Sequence, residues 1–223
     1  MISKKVLFLG KKNDPYTLKA LNHLRLLFSD VYSCLGEWGD KFPEEASWWD
    51  GDIIISYKSR WIVPKYLLEK SKEVAINFHP ASPDFPGIGC INFALYEDAK
   101  EYGATCHHMV QKVDSGDIIQ VSRFPVYPND NVETLLTRTY DHQLCLFYEI
   151  THYLYTGKLL PKSDEEWTRA PIQRNDFNEL TKIQIDMDKN EINKRIRATM
   201  FKDFRPELSL NGFIFELKND GSK

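Results

Sequence analysis

The sequence predicts an α/β protein: a mostly parallel sheet with helices on both faces, then a short C-terminal region with a helix and a β-hairpin. Three observations carry this. Short apolar runs recur at residues 6–10, 52–56 and 74–77, the pattern of strands buried on both faces. Helical patterns separate them. Asn211-Gly212 lies between two apolar runs, and that pair is the strongest short hairpin signal.

The elements follow in order. Residues 6–10 read as a buried parallel strand ended by glycine. Asp14 is a natural N-cap and Pro15 a natural first helical residue, with Leu18, Leu21, Leu24 and Phe28 as the apolar face. A weaker strand covers 31–34. Three consecutive isoleucines mark the strand 52–56. A helix is expected from about Pro64, then the strand 74–77, which runs straight into Phe78-His79-Pro80. This alternation is Rossmann-like, and such sheets place ligands beyond the carboxyl ends of their strands. Residues 80–89 form a Pro/Gly loop. Residues 91–99 read as a helix, and 105–110 and 118–122 as strands. A long amphipathic helix spans 132–155 with Val132, Leu136, Tyr140, Leu144 and Phe147 as its stripe, and Gly157 stops it. Residues 164–178 are polar and loop-like, and 182–186 a short strand. Asp188 and Glu191 have capping-box spacing and open a helix carrying Ile192, Ile196 and Met200. The hairpin occupies 208–217. The expected organisation is a catalytic domain over 1–157 and a small α+β region over 158–223. Gly221-Ser222-Lys223 has the composition of a cloning remnant and carries no weight.

Bulk properties exclude several classes. The chain has 223 residues, 42% of them hydrophobic and 27% charged, ordinary for a soluble globular protein. With a formal net charge of −3 and no long basic run, it lacks the broad positive surface of a nucleic-acid binder. Cys34, Cys90, Cys106 and Cys145 lie far apart without a CxxC pair, so neither zinc nor a disulfide framework is expected. A reducing, cytoplasmic setting fits. The apolar run after Lys5 is too short for a signal peptide. No stretch approaches the roughly 20 apolar residues that span a bilayer.

Asn77-Phe78-His79 is polar-apolar-polar at a strand end. Alternation aims Asn77 and His79 to one side. Asp114 arrives in the turn Asp114-Ser115-Gly116-Asp117 before the next strand. A carboxylate orients an imidazole and stabilises its protonated form, and an amide N–H₂ donates to a developing oxyanion. These parts suit attack of an amine on a carbonyl. Singly, each has an ordinary explanation: a structural histidine, a turn aspartate, an asparagine capping local backbone.

Together, Asn77-Phe78-His79-Pro80, the loop reaching Gly87, and Asp114-Ser115-Gly116-Asp117-Ile118-Ile119 resemble the formyltransferases that use 10-formyltetrahydrofolate. The resemblance covers roughly residues 5–127. It implies that Asn77 binds the formyl oxygen and stabilises the tetrahedral oxyanion. His79 would assist and accept the amine proton, and Asp114 would hold His79 and pass the proton toward N10. No metal is implied. The pterin of the folate would lie among Lys58, Trp61, Ile62, Val63, Val110, Gln111, Lys112 and Val113. Ordinary core packing is the competing reading for Trp61, Ile62 and Val63.

The resemblance also bears on the acceptor. The loop Gly10-Lys11-Lys12-Asn13-Asp14-Pro15 lacks the Gly/Ser-rich character of glycinamide ribonucleotide enzymes. The chain beyond Gly157 is short for the extra barrel of methionyl-tRNA enzymes. A nucleotide-linked amino sugar fits better, with a CMP-linked pseudaminic-acid-type sugar as one form. Pro86, Gly87, Gly89, Asn92 and His107 are then candidate acceptor contacts. His107 and His108 alternate, so one faces the cleft. Arg195, Arg197, Lys202 and Arg205 read as a solvated helix face rather than a phosphate site. Phe213 and Phe215 would leave an apolar strip exposed, which points to a homodimer contact. The competing readings are a formyltetrahydrofolate hydrolase, formylation of a carrier-bound amine, and a non-catalytic nucleotide-binding module.

Overall fold

The computed structural model describes residues 1–218, and Gly221-Ser222-Lys223 lies outside them. Strands β1 (Ile2–Lys11), β2 (Phe28–Gly36), β3 (Gly51–Tyr57), β4 (Ser71–His79), β5 (Glu101–His108) and β6 (Ile118–Pro125) form one sheet in the order β2-β1-β3-β4-β5-β6. The first four pair in parallel. Strand β5 is antiparallel to both its neighbours. The predicted mostly parallel α/β sheet is therefore present, with an antiparallel edge.

Two-sided burial explains the apolar runs. Val6 and Phe8 of β1 pack with Ile53, Ile55, Ile76 and Phe78 against helices α1 (Pro15–Leu27) and α5 (Val132–Thr156). Leu7, Leu9 and Ile54 point the other way, onto Ala46 and Leu67. Those two residues belong to α2 (Glu44–Ser47) and α3 (Lys65–Leu68), each a single turn. The helix expected from about Pro64 is thus present as a single turn. So little helix on that face leaves it thinly covered near the carboxyl ends of β3 and β4.

Local signals explain the helix ends. Asp14 caps α1, accepting from the Thr17 backbone N–H at 2.9 Å. Leu18, expected on its apolar face, is exposed, and Ala20 is buried in its place. Asn131 and Thr134 cap α5 reciprocally, and Gly157 ends it at φ +67°. The buried stripe of α5 runs through Leu135, Thr139 and Gln143, with Leu136 and Tyr140 only half-buried. Gln143 donates to the Phe78 carbonyl at 2.7 Å. That bond pins the peptide between Asn77 and His79.

Helix α4 (Cys90–Tyr96) packs with α5 and Ala198 of α7 (Lys189–Thr199). The polar stretch 164–178 is not all loop: it ends in α6 (Arg174–Leu180). Asp188 accepts from the Glu191 N–H at 2.8 Å, but the Glu191 carboxylate turns to Tyr96 and Arg195 instead of closing the box. Arg195 also donates to the carbonyls of Glu179 and Lys182, so it staples α6 to α7 rather than lying solvated. The strands β7 (Lys182–Ile183), β8 (Glu207–Leu210) and β9 (Phe213–Glu216) form a second sheet. Its hairpin turns at Asn211, φ +49°, and Gly212, φ +82°, the two positive angles a type I′ turn demands. Phe213, Ile214 and Phe215 are all exposed. No helix among the described residues is long and apolar enough to cross a membrane.

Candidate active site

The carboxyl ends of β3 and β4 open into a cleft of about 680 Å³, the size of an ordinary small-molecule site. Asn77, His79, His107 and Asp114 all line it. The Asp114 carboxylate reaches two imidazoles: Oδ2 is 3.3 Å from His79 Nδ1, and Oδ1 is 3.4 Å from His107 Nε2. Asn77 Nδ2 lies 3.1 Å from His107 Nε2. His79, His107 and Asp114 are nearly inaccessible. The three groups singled out from the sequence are thus brought together, and His107 joins them as the link between amide and carboxylate.

Each member is held by backbone. His79 Nε2 faces the Phe85 carbonyl at 3.1 Å. Both its nitrogens therefore face oxygens, the Asp114 carboxylate on one side and a backbone carbonyl on the other. His107 Nδ1 sits 2.9 Å from the His108 carbonyl, so that nitrogen bears hydrogen. Nε2 faces both the Asn77 amide and Asp114: without a proton it accepts from Asn77 and turns that N–H₂ inward, and with one it donates to the Asp114 carboxylate. Asp114 adopts φ +44°, a left-handed conformation that Asp tolerates better than most residues. Two residues on, a side chain at Gly116 would collide with the His108 backbone, so the turn fits tightly under β5. Burial alone would raise the Asp114 pKa. The His79 and His107 rings and the Gly87 N–H, 2.9 Å from Oδ2, outweigh it and hold the carboxyl at about 2.

Cys90 also reaches the cleft, its thiol 3.8 Å from His79 Nε2 and donating to the Gly87 carbonyl at 3.1 Å. Burial pushes its pKa up to about 12. It is a thiol at neutral pH and no nucleophile.

All eight residues expected around the pterin line the cleft. Lys58 does so with its charge already committed. Its ammonium lies 2.7 Å from Asp14 and 3.3 Å from the centre of the Tyr140 ring, and burial lowers its pKa to about 8. Of the expected acceptor contacts, Gly87, Gly89 and His107 line the cleft, whereas Pro86 and Asn92 do not. The Pro86 carbonyl accepts from Ile172 N–H at 2.9 Å, and the Asn92 amide donates to the Ala198 carbonyl at 2.6 Å. Both hold C-terminal segments in place.

Two contributors were not legible. Trp167 packs edge-on against His79 and His107, ring centres 5.8 and 5.1 Å away, and donates to the Gly116 carbonyl at 2.9 Å. It lies in the polar stretch, where one tryptophan among charged residues was the sole available signal. Pro171, Ile172, Gln173 and Arg174 complete one wall, with Gly87 and Ile172 bridged backbone to backbone. Among the described residues no group of three or more His, Cys, Asp or Glu side chains could hold a metal ion.

Residues 37–151, just over half of the chain, match the family described as formyl transferase. The chain belongs to the formyl transferase family. One relative is the methionyl-tRNA formyltransferase of Listeria monocytogenes, 29% identical over 158 residues, covering 70% of this chain and 50% of that protein. That of a Geobacillus species is 32% identical over 149 residues, covering 66% and 46%. The chain therefore spans about half the length of these relatives. Solved structures share its fold along nearly the whole chain. A 4-N formyltransferase from Francisella tularensis has a TM-score of 0.78 at 18% identity, covering 96% of both chains. An N-formyltransferase from Helicobacter canadensis, solved with folinic acid and dTDP-3-aminofucose, has a TM-score of 0.71 at 22% identity, covering 95% of this chain and 85% of that one.

Proposed function

We propose that this formyl transferase moves the formyl group of 10-formyltetrahydrofolate onto the amine of a nucleotide-linked amino sugar. The observation that carries the reaction is the meeting of Asn77, His79 and Asp114 on one buried cleft floor. The amine nitrogen attacks the formyl carbon, and the Asn77 N–H₂ stabilises the oxygen as it becomes an oxyanion. The amine proton passes to the His79–Asp114 pair and on to N10 as the carbon–N10 bond breaks. Ile62, Val110 and Val113 line the cleft while 70%, 48% and 44% exposed, apolar surface that a flat pterin would cover. The sugar is favoured by the structural relatives, one of which holds a dTDP-linked amino sugar. Transfer to methionyl-tRNA is the second reading, favoured by the curated relatives.

The test incubates the protein with 10-formyltetrahydrofolate and, separately, nucleotide-linked amino sugars (CMP-linked nonulosonic acids included), methionyl-tRNA, carrier-bound amino acids, or no amine. Formyl transfer to a sugar is expected. Formate release without an amine would instead mark a hydrolase. No turnover in any arm would sink the enzyme reading.

The placement of His107 predicts a split in kinetic constants. His107→Phe removes the acceptor that aims Asn77, so kcat should fall about ten- to a hundredfold while KM for the folate changes little. His107→Gln, which can again offer an acceptor, should recover much of the loss. A Gln variant as slow as the Phe variant, or slower, would show that an acceptor at this position does not set the rate.

A further inference from the structure

The mouth of the cleft is charged in a way the chemistry on its floor does not use. Lys11, Arg60, Lys112 and Arg174 line it together with Trp38. Most of the other arginines are neutralised: Arg123, Arg138, Arg169, Arg195 and Arg197 each contact a carboxylate, while Arg25 hydrogen-bonds Ser33 and Arg205 nearby backbone carbonyls. Among the described residues Arg60 and Arg174 form no ion pair. Their guanidinium carbons instead lie 5.7 and 5.2 Å from the Trp38 ring centre. Trp38 is 66% exposed, and Arg174 is braced a second time by Phe177 at 5.7 Å.

Unpaired cations usually drift into solvent. Here two are stacked on one indole at the rim of a cleft, although the chain carries a net charge of −3. Stacking holds a guanidinium in place without consuming its N–H donors. Two such groups, fixed and undischarged, are pre-organised for an anion with several oxygens. Among the described residues the one carboxylate lining the same cleft, Asp114, is buried at the far end against its imidazoles.

We infer that Trp38, Arg60 and Arg174 form a clamp for a multiply charged oxyanion group, which anchors the outer end of a ligand whose reacting end lies at Asn77 and His79. This rests on the proposed reading of the cleft for its reacting end only. Two ligands of that reaction carry such a group: the diphosphate of a nucleotide-linked acceptor, and the glutamate carboxylates of the folate.

Calorimetry on the full chain separates them. The probes are dTDP, UDP and CDP against their uncharged nucleosides, and 5-formyltetrahydrofolate against its pteroate counterpart, which lacks glutamate. Arg60→Gln and Arg174→Gln are each expected to weaken one of the two anionic ligands about tenfold, and the double variant about a hundredfold. Binding of the matching uncharged probe should not change, and the loss should shrink at high salt. Trp38→Ala should cost about threefold, with Trp38→Phe close to wild type. Equal melting temperatures would show that the fold is intact. The clamp is refuted if the double variant binds both classes as the wild type does, if charged and uncharged probes lose equally, or if the wild type binds neither class. Asn77→Ala provides the separate control: it should abolish turnover and leave the nucleoside diphosphate affinities alone. Clamp binding with no turnover in the wild type would refute the formyl-transfer reading but not the clamp.

Discussion

Replacing Asp114 by asparagine is expected to lower kcat about a thousandfold or more while folate affinity stays within a few-fold. Asp114 is the only carboxylate within ion-pair range of either His79 or His107 among the described residues. Asparagine matches its size but carries no charge. The amine loses a proton during transfer, and an imidazole that takes it up needs a negative neighbour when it is this buried. The amide would also present an N–H₂ to one ring nitrogen and so select the wrong tautomer. Single-turnover kinetics at saturating folate isolate the chemical step. A variant that turns over within tenfold of wild type would show that Asp114 holds the turn and does not handle the proton.

The same substitution has a stability consequence with a definite sign. The folded-state pKa of Asp114 is about 2, against an ordinary value of 3.8. A depressed carboxyl stabilises the fold above its unfolded pKa, and that contribution is lost as pH falls through the folded one. The shift corresponds to about 2 kcal/mol, fully present at pH 7 and fading between pH 4 and pH 2. Urea unfolding should therefore show Asp114→Asn less stable than wild type at neutral pH, with the gap closing near pH 2. A gap that persists unchanged there would mean that the loss is steric.

What could be read in advance divides along a physical line. Runs such as Ile53-Ile54-Ile55 are legible because burial on both sheet faces leaves no polar position. Asn77 and His79 share a face because a strand has period two. Strand direction is different: the alternation in 101–108 is the same whichever way β5 runs. The grip of Gln143 on the Phe78 carbonyl and the packing of Trp167 on two imidazoles join residues far apart in sequence, and no local pattern announces them. Asn92 illustrates the converse. A polar residue beside the Pro/Gly loop looks like a ligand contact, yet its amide serves the Ala198 carbonyl at the end of α7. Helices α2 and α3 are single turns, too short to show a helical period.

Gly87→Ala should be strongly disruptive for a single added methyl group. Gly87 has φ +93°, its N–H donates to Asp114 at 2.9 Å, and an added Cβ would run into the Ile172 backbone. A side-chain tip can swing aside, but this backbone is tied to Pro86 and Ile88 by hydrogen bonds of 2.9 and 3.0 Å. The methyl group must therefore either pry 171–173 off the loop or drag Gly87 away from Asp114. The expected cost is about 3 kcal/mol or more in stability, together with a fall in kcat of at least about tenfold as the carboxylate loses its backbone donor. Gly157→Ala is the matched control. Its φ is +67°, and an added Cβ meets nothing within 4 Å, so strain alone should cost about 1 kcal/mol with activity unchanged. If the two variants prove equally stable and equally active, Gly87 tolerates a side chain and the tie between 171–173 and the cleft floor does not set the position of Asp114.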